Sequence, residues 1–299
     1  MKLAVIGLGK MGANLARQLT TKGFEVVGYN RTESVTKALE TEGIDGAYSF
    51  EELASKLSSP KIIWIMLPAG QAVDDAITQL IPHLSAGDIV IDGGNSHYVD
   101  DARRAASLAE HGIHFVDVGV SGGPAGALNG ACLMVGGGQA TFDVIEPIVR
   151  AVSVADGYQF FPGIGAGHFV KMVHNGIEYG MMQAIAEGFA VLKQSPLELD
   201  LTKVADIYQH GSVIESRLVG WLGEGLQQQG VDLNNVSPTV AHTGEGAWTV
   251  EAAETLGVPE PIIQESLEFR KQSATNPSYT GKLLSLMRHM FGGHALTKE

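Results

Sequence analysis

The chain has 299 residues, 44% hydrophobic and 18% charged. That is enough for one large or two ordinary domains and too apolar for a disordered chain. The net charge of −13 argues against a general nucleic-acid binder. No apolar run reaches the length of a membrane span, and no secretory segment precedes the first strand-like run. A single cysteine, Cys132, excludes an intrachain disulfide, suits a reducing cytoplasm and reads as a small apolar filler. No Cys/His cluster has metal-ligand spacing, so no metal is expected.

Lys2 to Gly7 has the apolar run of a buried strand, and Ala13 to Lys22 reads as a helix. Between them stands Gly7-Leu8-Gly9-Lys10-Met11-Gly12. Glycines at this spacing allow a tight turn, the close approach of a pyrophosphate and tight helix packing, which is the signature of a dinucleotide-binding fold. The second strand, Phe24 to Tyr29, ends in Asn30-Arg31-Thr32. An acidic residue at this end would bind the ribose 2′-hydroxyl of NAD. Arg31 and the Thr32 hydroxyl suit a 2′-phosphate instead, which favours NADP, with NAD the weaker alternative given Glu33 nearby.

Helix and strand continue to alternate. Glu51 to Lys56 is helical, Ile62 to Leu67 is a strand, and Leu67-Pro68-Ala69 leads into a turn where a cofactor can lie against backbone. A helix from Gln71 to Leu84 and a strand from Asp88 to Ile91 follow. The polar loop after that strand carries Asn95, a candidate contact to substrate and cofactor, because open α/β sheets bind ligands at the carboxyl ends of their strands. Tyr98 to His111 is a helix and Phe115 to Val118 a strand. Gly119 to Gly126 reads as a loop, in which Ser121-Gly122-Gly123 can offer a hydroxyl and two backbone N–H groups to a carboxylate. Leu133 to Val135, Thr141 to Arg150 and Tyr158 to Phe161 complete the pattern as strand, helix and strand, and Pro162-Gly163 closes the domain.

From Gly167 onward strand signals stop. A long helix to Lys193 is followed by helices at Leu201 to Gly211, Glu215 to Gln229, Glu251 to Leu256, Pro261 to Ser273 and Lys282 to Met290, with Ala241 to Trp248 a glycine-bearing loop. The expected architecture is an α/β Rossmann-type domain over residues 1–164, followed by an all-α domain over residues 165–299. The long helix presents Lys171, His174, Asn175 and Glu178 at i, i+3, i+4 and i+7, with Tyr179 one step further round. Lys171 and Glu178 are separated by about 10 Å of helix rise. Spacing alone leaves open whether this stripe is a solvated face or a proton acceptor and donor on either side of a small polar substrate. Arg270, Arg288 and His294 are candidate anion contacts that singly read as surface residues.

With Gly7 to Gly12, Ser121-Gly122-Gly123 and the ungapped Lys171-x-x-His174-Asn175-Gly176-Ile177-Glu178-Tyr179 in hand, the chain resembles the decarboxylating 6-phosphogluconate dehydrogenases, in their short form, over its full length. The resemblance implies oxidation of 6-phospho-D-gluconate by NADP, with loss of CO2, to give ribulose 5-phosphate in the cytoplasm. Lys171 is then the base at the 3-hydroxyl, its pKa lowered in the site, and Glu178 is the acid that protonates C1. Asn175 and Asn95 orient substrate and cofactor, His174 contacts the substrate, and Ser121, Gly122 and Gly123 hold its carboxylate region. Tyr179 and Arg270 meet the phosphate. Arg288 and His294 match a family tail that reaches the partner subunit's site, implying a homodimer or higher homo-oligomer with no nucleic-acid or membrane partner. The chain departs from the long form at Thr243, where the family has a phosphate-binding lysine. Other β-hydroxyacid dehydrogenases, of the 3-hydroxyisobutyrate or tartronate semialdehyde type, need no acid at Glu178. Neither they nor a non-catalytic NADP sensor account for the whole constellation.

Overall fold

A computed structural model describes residues 1–297. The chain divides into two compact units, the break falling between Met172 and Val173.

The first unit runs β1 (Lys2–Ile6), α1 (Lys10–Thr21), β2 (Glu25–Tyr29), α2 (Glu33–Glu40), β3 (Asp45–Ala47), α3 (Phe50–Ser55), β4 (Ile62–Ile65), α4 (Gln71–Leu80), β5 (Ile89–Asp92), α5 (Tyr98–Ala109), β6 (His114–Ser121), α6 (Gly123–Asn129), β7 (Ala131–Gly137), α7 (Gln139–Val152) and β8 (Ser153–Pro162). The strands form one sheet in the order β3-β2-β1-β4-β5-β6-β7-β8, parallel except where β6 meets β7. The order reverses direction at β1 and β4, which places the ligand crevice beyond their carboxyl ends. Both faces of the central strands β1, β4 and β5 are buried, as crossover helices require. Leu3 and Val5 join Trp64, Ile89 and Ile91 in one core, while Ala4 and Ile6 join Ile63, Ile65 and Val90 in the other. This accounts for strands that read as unbroken apolar runs.

Two elements went unread in the sequence and three local expectations need correction. Residues 33–40 form a helix and 45–47 an edge strand, although the helix is polar and the strand too short to carry a period. The stretch read as a loop after Gly119 contains a helix from Gly123, with proline in its first turn, where the missing N–H costs nothing. Cys132 is exposed, not a filler, because β7 alternates and its neighbours Ala131 and Leu133 take the inward positions. The glycine-bearing stretch before Trp248 is already helical from Gly244.

α8 (Ala166–Gln194) begins in the first unit and continues without a break into the second. There follow α9 (Leu201–Tyr208), α10 (Arg217–Gln229), α11 (Gly244–Leu256), α12 (Pro261–Gln272) and α13 (Tyr279–Gly292). Asp200, Ser216 and Ser278 cap α9, α10 and α13 by accepting from backbone N–H groups of the first turn. Gly257 and Gly293, in the left-handed region, end α11 and α13. The core of this unit gathers Met182 and Phe189 of α8 with Leu222, Leu226, Leu283 and Leu286. Among the described residues no helix is long and apolar enough to cross a membrane.

Candidate active site

In the first unit, the carboxyl ends of β1, β4 and β5 converge on glycines. A Cβ on Gly12 would strike the carbonyl of Gly7, and one on Gly7, itself at φ 90°, would stand 2.8 Å from a Leu67 methyl. Around Gly9 nothing lies within 4 Å of the Cβ position. The loop is therefore locked from behind and open in front, which is the cradle a pyrophosphate needs at a helix N-terminus. Gly9 caps α1 without a side-chain acceptor, and the N-terminus of a helix directs its first N–H groups toward the loop that precedes it.

Asn30 shapes this loop by accepting from the Leu8 N–H at 3.0 Å. Arg31 and Thr32 are exposed beside it. Glu33 faces Lys37 at 3.2 Å along α2, an exposed pair of little energetic weight. A groove of about 410 Å³ adjoins the loop, lined by Leu8, Lys10, Arg17, Ser34, Val35 and Leu39 among others. The contribution of α2 to it was not legible in the sequence. Pro68 and Ala69 are exposed, with Leu67 half-buried.

At the end of β5, Asn95 holds a left-handed φ of 54°. Its side-chain oxygen accepts from the Val120 N–H at 2.8 Å and its amide donates to the Val120 carbonyl at 3.2 Å. Asn95 thus braces the strand end that leads into Ser121. Gly122 and Gly123 have φ of 123° and 61°, a turn that presents successive N–H groups as a nest does.

Lys171 is 5% exposed. It comes close to β6 because position 119 is glycine, where a Cβ would collide with the Lys171 side chain. Gly167 packs as tightly against the Met134 carbonyl. These glycines let the first turns of α8 lie on the sheet backbone.

In the second unit the next turns of α8 carry the remaining polar residues. His174 Nδ1 is 2.9 Å from Asn175 Oδ1 and 3.9 Å from Glu178 Oε2; against an amide oxygen, Nδ1 is the protonated nitrogen. Glu178 keeps 23% of its side chain exposed. Tyr179 is buried, its hydroxyl accepting from the Thr243 N–H at 3.1 Å and lying 3.4 Å from the Thr243 hydroxyl. The Arg270 guanidinium lies over the Tyr179 ring, 3.4 Å from its centroid. Gly246 fits against the same ring.

Arg270 and Arg288 are 3% and 6% exposed, contrary to their reading as surface residues, and Arg288, expected with His294 in a tail that reaches the partner subunit's site, lies near Arg270 of its own chain. Burial pushes Arg270 down to about 10, Tyr179 opposes this, and Arg288 beside it adds to the fall; Arg288 is likewise lowered by burial. Among the described residues neither forms a salt bridge, and Arg270 Nε has no hydrogen-bond partner. Two buried cations near each other without a carboxylate at ion-pair distance are a candidate anion site. His294 is exposed beyond α13, its ring edge-on to Phe291 and its carbonyl 2.7 Å from His289 Nδ1.

Known proteins also divide the chain in two, a few residues earlier, at the start of α8. Residues 2–161 match the NAD binding domain of 6-phosphogluconate dehydrogenase and residues 167–280 match the C-terminal domain of that enzyme. The chain belongs to the 6-phosphogluconate dehydrogenase family. Within this family it is 44% identical over 299 residues to the Bacillus subtilis protein YqeC, named only provisionally as a 6-phosphogluconate dehydrogenase, with all of both chains covered. It is 40% identical to an NAD(+)-dependent, decarboxylating 6-phosphogluconate dehydrogenase of Haloferax volcanii, over 100% of this chain and 99% of that one. The 6-phosphogluconate dehydrogenase of Plasmodium falciparum, solved with its cofactor NADP+ and with its substrate 6-phosphogluconate, superposes with a TM-score of 0.84 at 32% identity; 92% of this chain covers 62% of that one.

Proposed function

We propose that this 6-phosphogluconate dehydrogenase family member catalyses the NADP-dependent oxidative decarboxylation of 6-phospho-D-gluconate to D-ribulose 5-phosphate and CO2. The observation that carries the reading is the anion site of Arg270 and Arg288, built around a tyrosine that directly follows the acid Glu178 on the helix of Lys171. A phosphorylated substrate uses such a site and an unphosphorylated hydroxyacid does not.

The glycine cradle fits a dinucleotide. Gly7 to Gly12 and the N-terminus of α1 would hold its pyrophosphate, Leu67, Pro68, Ala69 and Asn95 line its path along the strand ends, and Asn30, Arg31 and Thr32 its ribose end. Glu33, turned along α2 to Lys37, does not oppose a 2′-phosphate, which supports NADP over NAD. When bound, the nicotinamide supplies the hydride acceptor.

On the protein side, Lys171 takes the proton from the 3-hydroxyl as C3 is oxidised. The product is a β-keto acid. Its carboxylate, held at Ser121, Gly122 and Gly123, leaves as CO2 because the new ketone accepts the electron pair as an enolate. Lys171, now protonated, donates to that oxygen. Glu178, two turns along the helix, delivers a proton to C1. Asn175 and His174, joined to each other, contact the substrate between them. Tyr179, Arg270 and Arg288 take the phosphate, with the Thr243 hydroxyl beside them where the long form has a cation. His294 would act in the partner's site of a homodimer. Ile177, Met181, Ala184, Gly188 and Val191 are all exposed at three- and four-residue spacing along α8, and this apolar seam supports a second copy as the partner.

The test is a substrate panel with purified protein and NADP+, reading NADPH. Efficient turnover of 6-phospho-D-gluconate with little on gluconate or 3-hydroxyisobutyrate supports the reading. Preference for either unphosphorylated acid overturns it.

A further inference from the structure

Five charged side chains of the first unit, Asp92, Asp101, Arg104, Asp117 and His168, are at most 1% exposed, and the chemistry above uses none of them. They connect in a defined order. Asp117, on β6, caps the start of α8 by accepting from the N–H groups of Gly165 at 2.8 Å and His168 at 2.9 Å. His168 Nδ1 is 2.8 Å from Asp101 Oδ2 on α5. Arg104, one turn along α5, approaches Asp101 at 3.9 Å and Asp92 at 3.2 Å, while its remaining nitrogens bind Asp74 and the Gly70 carbonyl. Asp92 in turn accepts from the Gly94 N–H at 3.0 Å and the Ser96 hydroxyl at 2.7 Å. Those are the two flanks of Asn95.

The ends of this chain adjoin functional residues of the proposed reaction. His168 stands one helical turn before Lys171, and Asp92 anchors the loop that presents Asn95 in its left-handed conformation. Donor atoms of Asp92, Asp101 and His168 lie within 4.8 Å of one another, a spacing that could hold a metal ion. The Arg104 guanidinium already fills the position a cation would take between the carboxylates. Buried ion chains are poor sources of stability, because apolar side chains of the same volume do as well or better. What such a chain supplies is a fixed relative geometry.

We propose that the buried His168–Asp101–Arg104–Asp92 chain is a positioning device, which ties the turn of α8 that carries Lys171 to the loop that carries Asn95. His168 is its key positioning residue. The assignment rests on the reaction proposed above for its kinetic consequence, and on the fold alone for its geometric one.

The test compares His168→Leu, which keeps bulk and removes the donor, with His168→Asn, whose amide can still donate to Asp101. Misplacing a reacting group by about 1 Å costs on the order of 100-fold, so His168→Leu is expected to lower kcat on 6-phospho-D-gluconate by about 10- to 100-fold. The dissociation constant for NADP+ stays within about twofold, and His168→Asn restores kcat to within about threefold of wild type. Equal kcat losses in both variants, or wild-type kcat in His168→Leu, overturn the proposal. If His168→Leu does not accumulate as folded protein, Asp101→Asn takes its place, and wild-type kcat there overturns it likewise. Hydrogen exchange is read alongside, in peptides covering 92–97 and 166–172. The device requires His168→Leu, or Asp101→Asn in its place, to speed exchange in both segments, and faster exchange confined to 166–172 overturns the link. Exchange needs no substrate. A wild-type protein inert on 6-phospho-D-gluconate sinks the proposed reaction while leaving the positioning device decided by this second measurement.

Discussion

Arg270 lies over the ring of Tyr179, 3.4 Å from its centroid, while the hydroxyl of the same tyrosine meets Thr243. One aromatic side chain therefore orients both a buried cation and the residue that stands where the long form of the family has a lysine. In the proposed reaction, replacing Arg270 by Met removes a charge-assisted contact to phosphate, worth about 1.5–3 kcal/mol. The Michaelis constant for 6-phospho-D-gluconate should rise by about 10- to 100-fold, with the much weaker use of gluconate unchanged. Steady-state kinetics on the two acids check this, and an equal loss on both would show that Arg270 only supports the fold.

Thr243→Lys restores the family's cation beside Tyr179. Its expected effect is a Michaelis constant for the phosphorylated acid lowered by up to about tenfold, against little change for gluconate. An unchanged or raised constant would mean that the phosphate does not reach Thr243.

Lys171→Met removes the proposed base while keeping an unbranched stem in the space beside Gly119. General-base catalysis contributes about 10²- to 10⁴-fold, so turnover should fall by at least the lower figure while NADP+ binding, followed by fluorescence titration, persists. Retention of near-normal kcat would transfer the proton to another residue.

Arg31→Ala tests the cofactor reading at the end of β2. The Michaelis constant for NADP+ should rise by about tenfold or more and that for NAD+ should stay within about twofold. Parallel changes in both would place the 2′-phosphate elsewhere.

The buried pair His168 and Asp101 makes stability depend on pH. Burial opposes charge on the ring, but the hydrogen bond to Asp101 and the charges of Asp92 and Asp117 push His168 up to about 9. A histidine raised in the folded state contributes stability that is complete below its unfolded value, near 6.5, and lost as pH rises through 9. Burial pushes Asp101 up to about 6 against the hydrogen bond from His168, so its contribution is complete below about 4 and lost by about 6. The melting temperature should fall between pH 6.5 and 9 by on the order of 5 °C more in wild type than in His168→Asn. Calorimetry on both proteins reads the difference, and parallel curves would contradict it.

The sheet and the long helix were legible because their signals are local: apolar runs for strands buried on both faces, and glycines between β1 and α1. α2 and β3 were not, since a polar helix and a three-residue edge strand carry too little period. The stripe from Lys171 to Tyr179 followed from helical spacing, but its surroundings did not. Arg270 and Arg288 read as surface residues because the contacts that bury them come from distant parts of the chain, as Tyr179 does for Arg270 from 91 residues earlier. His168 and Asp101 are 67 residues apart, and no spacing within either helix announces their partnership. Asp117 was passed over as one polar residue within a strand, though it accepts two N–H groups at the start of α8.

The measurement that bears most directly on the proposed reaction is the ratio of CO2 released to NADPH formed when the protein turns over 6-phospho-D-gluconate. Glu178 as the acid that completes a decarboxylation predicts one CO2 for each NADPH, with ribulose 5-phosphate as the accumulating product. NADPH formed without CO2 would contradict it and leave a simple hydroxyacid dehydrogenase in its place.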